Sequence, residues 1–190
     1  MKKLNLKEIL VPAVALLVFC LVATAILAGT NMITAAKIAD NAVQTETQSR
    51  QKVLPAGVTY TEVSTADTGV TWCAGLDADG NTVGYVYTAG AKGYGGTVSV
   101  MVGIDTEGAI TGIEILSHSE TPGLGANATK DSFKDRFIGK SGILTVNKNS
   151  NDGQNVQAIT AATITSNAVV SAVNLITVTH SQINGGENNG

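Results

Sequence analysis

The chain has 190 residues, a formal net charge of −3 and only 14% charged residues. No lysine- or arginine-rich block occurs and aromatics are 4%, which argues against a nucleic-acid surface and against platforms for stacking bases or sugars. The two cysteines, Cys20 and Cys73, have no zinc or iron–sulfur spacing, and Cys20 lies in an apolar run, which argues against an intrachain disulfide.

Lys2, Lys3 and Lys7 precede an uncharged run over residues 9–28, about the 20-residue length that spans a bilayer as a helix. We expect a cytoplasmic N-terminus at 1–8 and a transmembrane anchor at 9–30, with the rest of the chain outside the cytoplasm by the positive-inside rule. Pro12 falls near the expected helix start. The competing reading is a cleaved signal peptide at Ala23-Thr24-Ala25; the apolar run continues through Ile26 and Leu27, which favours the anchor. Residues 31–53 read as an exposed helical stalk that ends at Leu54-Pro55.

The segment 54–180 reads as one folded domain. Strands are expected at 70–76 and 82–88 around an Asp79-Gly80 turn, then at 97–104 and 109–116. In 97–104, Val98, Val100, Val102 and Ile104 alternate onto one face. A long loop, "SHSETPGLGANATK", follows, then a short helix over 132–138 that puts Phe133 and Phe137 on one side. Residues 142–146 suit another strand and 156–160 are extended. A last helix over about 164–179 carries Thr165, Val169, Val173 and Ile176 on one stripe, and 181–190 reads as a disordered tail. The fold class is α+β, a mostly antiparallel sheet with flanking helices, preceded by one N-terminal transmembrane helix.

The stretch "QAITAATITSNAV" at 157–169 concentrates hydroxyls where a strand should turn into that last helix. A helix N-terminus offers free N–H groups and a positive dipole end, which attract phosphate. Thr165 and Ser166 are placed either to cap the helix or to donate to phosphate oxygens, and Ala161 and Ala162 leave room for close backbone approach. In "HSETPGLG" at 118–125, Pro122-Gly123 suits a type II turn. Glu120 and Thr121 are placed to hydrogen-bond a ligand's polar edge, and Leu124 to pack on a flat ring beside Gly125. Tyr94, in the glycine loop "KGYGG", either lines that ring or sits on the surface of a hairpin turn.

"TAATITS" resembles the flavin-attachment motif of FMN-binding domains in Rnf-type electron-transport complexes and sodium-pumping NADH:quinone reductases. Thr160, Ala161, Ala162, Thr163 and Thr165 match it, while Gln157 replaces the leading aspartate. "HSETPGLG" resembles a second loop of the same family. The resemblance implies FMN joined by a phosphoester to Thr163, placed there by a flavin transferase. It also assigns the flavin site to Thr160, Ala162, Ile164, Thr165, Ser166, Glu120, Thr121, Leu124, Gly125 and Tyr94. Gly95 stands where the quinone-reductase protein usually carries a tryptophan, which leans toward the G subunit of the Rnf type.

The resemblance further implies an electron-transfer subunit without an NAD site of its own. It would sit in a membrane complex with subunits A, B, C, D and E that couples ferredoxin oxidation and NAD reduction to Na+ or H+ transport. The alternatives are the C subunit of a Na+-translocating NADH:quinone reductase, or a tethered extracellular binding domain without redox function. Lys92, Lys130 and Lys148 are candidates to offset flavin charge, in a stretch that reads as poor in carboxylates. His118 and His180 lack a third partner for a metal, and Cys73 reads as a buried small hydrophobe.

Overall fold

The computed structural model describes residues 6–185. The chain divides into two units, residues 1–46 and 47–190. Helix α1 (Leu6–Val53) runs through the first and contributes its last turns to the second.

The anchor and stalk expected at 9–30 and 31–53 lie on this one helix. Its segment Leu10–Asn31 has a mean hydropathy of 2.8 with none of it buried, so it is long and apolar enough to cross a membrane. This segment associates the chain with a membrane. Pro12 lies inside α1 rather than in its first turn. A proline there removes one backbone hydrogen bond, a loss that membrane helices tolerate.

The second unit is built on a six-stranded antiparallel sheet. Its strands are β1 (Thr59–Tyr60), β2 (Ser64–Thr65), β3 (Thr71–Leu76), β4 (Thr82–Lys92), β5 (Thr97–Asp105) and β6 (Ile110–Ser117). The order is β1-β3-β4-β5-β6, with β2 also paired to β3. The β3–β4 turn follows from Asp77, whose Oδ1 accepts the Asp79 and Asn81 amides at 2.9 and 2.8 Å. Two short strands, β7 (Thr145–Asn147) and β8 (Asn155–Gln157), pair parallel in a separate sheet.

Val98, Val100, Val102 and Ile104 are all buried on one sheet face, as their alternation requires. Helix α3 (Thr163–Gly185) covers that face with Val169, Val173 and Ile176, and the stripe expected from sequence is buried along its length. Phe133 and Phe137 close the same core, their rings 5.4 Å apart edge to face. Tyr87 is buried against His180, whose Nδ1 lies 2.8 Å from its hydroxyl.

Three sequence expectations change. Residues 117–130 contain a 3₁₀ helix, Gly125–Thr129, rather than irregular loop alone. The helix expected at 132–138 is one turn, α2 (Asp131–Lys134), followed by further turns that still bury Phe137. The last helix runs past Thr179, so residues 181–185 are helical and not a disordered tail. No glycine or proline interrupts α3 before Gly185, and Ile183 still packs on the core. Residues 1–5 and 186–190, the ends of the expected cytoplasmic segment and tail, lie outside the described residues.

Sequence alternation did not reveal that the second sheet face is also covered. Val53 and Leu54 pack there with Cys73, Val86 and Met101. The end of α1 approaches closely because Gly103 and Gly112 face each other across β5 and β6 beneath it. A Cβ on Gly103 would overlap the Val53 carbonyl, and one on Gly112 would lie 2.8 Å from the Val53 Cα. The Thr111 hydroxyl donates to that same carbonyl.

Because the obstruction is backbone, no rotamer relieves it. Gly103→Ala is expected to destabilise the second unit by about 1–3 kcal/mol, read as a lower urea midpoint with an unchanged slope, whereas Gly108→Ser in the open β5–β6 turn gives only the smaller strain of its left-handed backbone, φ 86°.

Candidate functional site

The site forms where three separate segments meet: the glycine loop after β4, the loop 118–125, and the first turn of α3. A cavity of about 440 Å³ opens between them, within the range typical of small-molecule sites. Tyr94, Thr121, Leu124 and Ile164 stand at its rim, with Tyr94 73% exposed. Glu120, Gly125, Ala162, Thr163 and Thr165 line its inner wall. Nine of the residues expected from sequence therefore share one cavity, and Ala161 joins them.

Two further candidates face elsewhere. Thr160 is exposed and lines two neighbouring cavities, one shared with Arg136 and Lys130, the other with Lys148 and Thr163. Ser166 is fully buried; its hydroxyl accepts the Ile159 amide at 2.9 Å and donates to the Ala162 carbonyl at 3.0 Å. It ties the turn to the helix and has no reach to a ligand.

The turn itself carries strain. The Ala162 amide donates to the Ile159 carbonyl at 3.0 Å, and Ala161 has φ 60°, the conformation a type II turn needs at its third position. Among the described residues Ala161 is the one non-glycine with positive φ. The turn brings Thr163 to the first position of α3 with its side chain half-buried at the cavity wall. The first helical amides there lack intrahelical acceptors and point outward along the dipole. Arg136 braces the approach from outside: its guanidinium donates to the Gln157 and Ala158 carbonyls, and its Nε to the Ser132 carbonyl at 2.9 Å. No spacing in the sequence signals either the strained alanine or this brace.

Glu120 organises the inner wall. Its carboxylate is buried, at 6% exposure. Oε2 accepts the Thr165 hydroxyl at 2.6 Å, and Oε1 accepts the Gly95 amide at 3.0 Å. The Glu120 amide donates to His118 Nδ1 at 3.2 Å. Each carboxylate oxygen accepts one bond from the protein, so Glu120 builds the wall while still lining the cavity beside Thr165. Glycines make this packing possible: a Cβ on Gly125 would overlap Glu120 and come within 2.5 Å of the Thr165 hydroxyl, and one on Gly95 would overlap the Ser119 carbonyl. Pro122-Gly123 forms the expected type II turn, with Gly123 at φ 80° and the Leu124 amide donating to the Thr121 carbonyl at 3.1 Å.

Burial opposes ionisation of Glu120. Hydrogen bonds from Thr165 and from the Gly95 and Tyr94 amides outweigh it and hold the carboxyl below its ordinary value. The expected poverty of carboxylates near the motif therefore has one exception, set deep in the wall.

The fold and the cavity define a membrane-associated α+β domain with a partly apolar cavity at the head of its last helix. Residues 93–177 match the FMN-binding domain family, and residues 1–53 match the RnfG N-terminal region. The chain is 40% identical over 178 residues to the G subunit of the Na(+)-translocating ferredoxin:NAD(+) oxidoreductase complex of Acetobacterium woodii, covering 84% of this chain and 86% of that one. It is 33% identical over 174 residues to the G subunit of the ion-translocating oxidoreductase complex of Methanosarcina acetivorans, covering 88% and 92%. The chain belongs to this family of G subunits, with an FMN-binding domain. Its fold is similar to that in the crystal structure of Shewanella oneidensis NqrC, with a TM-score of 0.50 at 20% identity over 64% of this chain and 65% of that one.

The lining suits FMN. Exposed Tyr94, Leu124 and Ile164 offer apolar surface to a ring system, and the helix N-terminus offers amides to a phosphate. The Glu120–Thr165 contact gives a direct test of the wall. The carboxyl titrates lower folded than unfolded, so the stability from its ionisation is complete above the unfolded value and is lost as pH falls through the folded one. Thr165→Val is expected to cost about 2 kcal/mol at neutral pH, and urea melts should show the gap from wild type closing in acid.

Proposed function

We propose that this chain carries one FMN, esterified through its phosphate to Thr163, and relays electrons as the G subunit of an Rnf-type ferredoxin:NAD oxidoreductase that couples the transfer to Na+ or H+ transport. The observation that carries this reading is the position of the Thr163 hydroxyl. It lies where the cavity with the apolar rim meets a second cavity of about 320 Å³ lined by Lys148 and Thr160. A ring seated against Leu124, Ile164 and Tyr94 then leaves its phosphate at Thr163, where the α3 dipole and Lys148 balance its charge.

When bound, FMN supplies the one- and two-electron chemistry. The protein's own residues bind and orient. Ala161 turns the chain so that Thr163 faces the cavity, Arg136 secures the backbone before it, and Ser166 joins turn to helix. The ester keeps the cofactor from dissociating, and α1 keeps the carrier near its partners, which raises effective concentration. Those partners are the other subunits of the complex, A to E, together with a flavin transferase during maturation. The lysines before the apolar segment support a cytoplasmic N-terminus and an extracytoplasmic FMN domain. Gly95 weighs against the C subunit of the quinone reductase, because its Cβ direction runs into the Ser119 carbonyl and leaves no space for tryptophan.

Wild-type protein coexpressed with its transferase is expected to gain the mass of one FMN less a water on the peptide containing Thr163, and to give a fluorescent band after denaturing electrophoresis. Thr163→Val should be colourless while folding normally by circular dichroism. An unmodified wild-type peptide from the native membrane overturns the proposal. Ala161→Val, which puts a β-branched side chain at positive φ, should lower flavin incorporation severalfold, whereas Ala161→Gly should retain it.

A further inference from the structure

We propose that Glu120 sets the flavin's redox potential: its carboxylate, fixed in the cavity wall at the head of α3, makes the bound cofactor harder to reduce and thus a stronger reductant. This rests on FMN occupying the cavity beside Thr163.

The argument begins with the charges around the cavity. A helix N-terminus presents roughly half a positive elementary charge. Taken alone, the first turn of α3 would favour the reduced flavin, because each electron that enters adds negative charge unless a proton follows. Glu120 reverses that bias. It places a full negative charge on the same helix end, through the 2.6 Å bond from Thr165. Among the described residues it is also the one carboxylate or cation lining this cavity; Tyr94, Thr121, Leu124, Thr163 and Ile164 carry no such charge.

The charge cannot move away. Thr165 holds one oxygen at 2.6 Å and Gly95 the other at 3.0 Å, so the carboxylate is pinned at two points. Its low exposure reduces screening by water and salt relative to a surface carboxylate. The cations around the site are committed elsewhere or lie outside the cavity. Arg136 bonds backbone carbonyls before the turn, and exposed Lys148 lines the neighbouring cavity, where the phosphate ester would engage it. His118 accepts the Glu120 amide through Nδ1 and so offers no proton from that nitrogen to the carboxylate.

The test is a spectroelectrochemical titration of full-length, flavinylated protein in detergent, with mass spectrometry on the same samples. Glu120→Gln keeps the shape and removes the charge. At the ambient potential that half-reduces the wild-type flavin, its reduced-to-oxidised ratio is expected to rise about tenfold, a shift of about 59 mV for a one-electron couple. Glu107→Gln, in the exposed β5–β6 turn, removes a remote carboxylate and should titrate as wild type. Thr121→Asp adds a carboxylate at the exposed rim of the same cavity and should lower the ratio, which keeps the test open should Glu120→Gln fold poorly. A flavinylated Glu120→Gln protein that titrates as wild type, equal shifts in Glu120→Gln and Glu107→Gln, or a raised ratio in Thr121→Asp would each overturn the proposal while leaving the FMN assignment intact. A wild-type chain without FMN on Thr163 would remove both.

Discussion

The site depends on one buried carboxylate. Glu120 joins segments that are 25 and 45 residues apart in the chain, the glycine loop at Gly95 and the head of α3 at Thr165. A buried charge is costly unless hydrogen-bonded, so the ionised carboxylate favours the arrangement in which these segments meet. That arrangement accounts for the glycines around it, which leave the space that side chains would fill, and for the separation of roles among nearby hydroxyls. The cavity is the gap left above this junction.

Hydroxyls in the motif divide between structure and chemistry according to burial. Ser166 and Thr165 are buried and fully engaged, one closing the turn and the other neutralising part of the desolvation cost of Glu120. Thr163 is half-buried and faces the cavity, while Thr160 is exposed on the far side of the turn.

The other sheet face serves the tether. Val53 and Leu54 end α1 against a surface that glycines keep flat, so the last turns of the helix are part of the folded unit and not a loose linker.

Much of this was legible from residue order alone. Alternation in β5 and the stripe on α3 follow from the periods of strand and helix, and both faces proved buried as the pattern requires. The apolar segment, the Asp79-Gly80 and Pro122-Gly123 turns and the threonine motif are local signals, and local sequence determines them. Most of the cavity's lining was legible through resemblance, with Thr160 and Ser166 placed elsewhere. What only tertiary structure decided was direction and commitment. That Glu120 accepts a hydrogen bond from Thr165 depends on a partner 45 residues away. The brace from Arg136, the burial of Ser166, the second layer at Val53 and the extension of α3 past Thr179 likewise arise from contacts between distant segments. Periodicity and turn chemistry report a residue's own backbone, whereas charge burial and hydrogen-bond pairing are set by whichever segment the fold brings opposite.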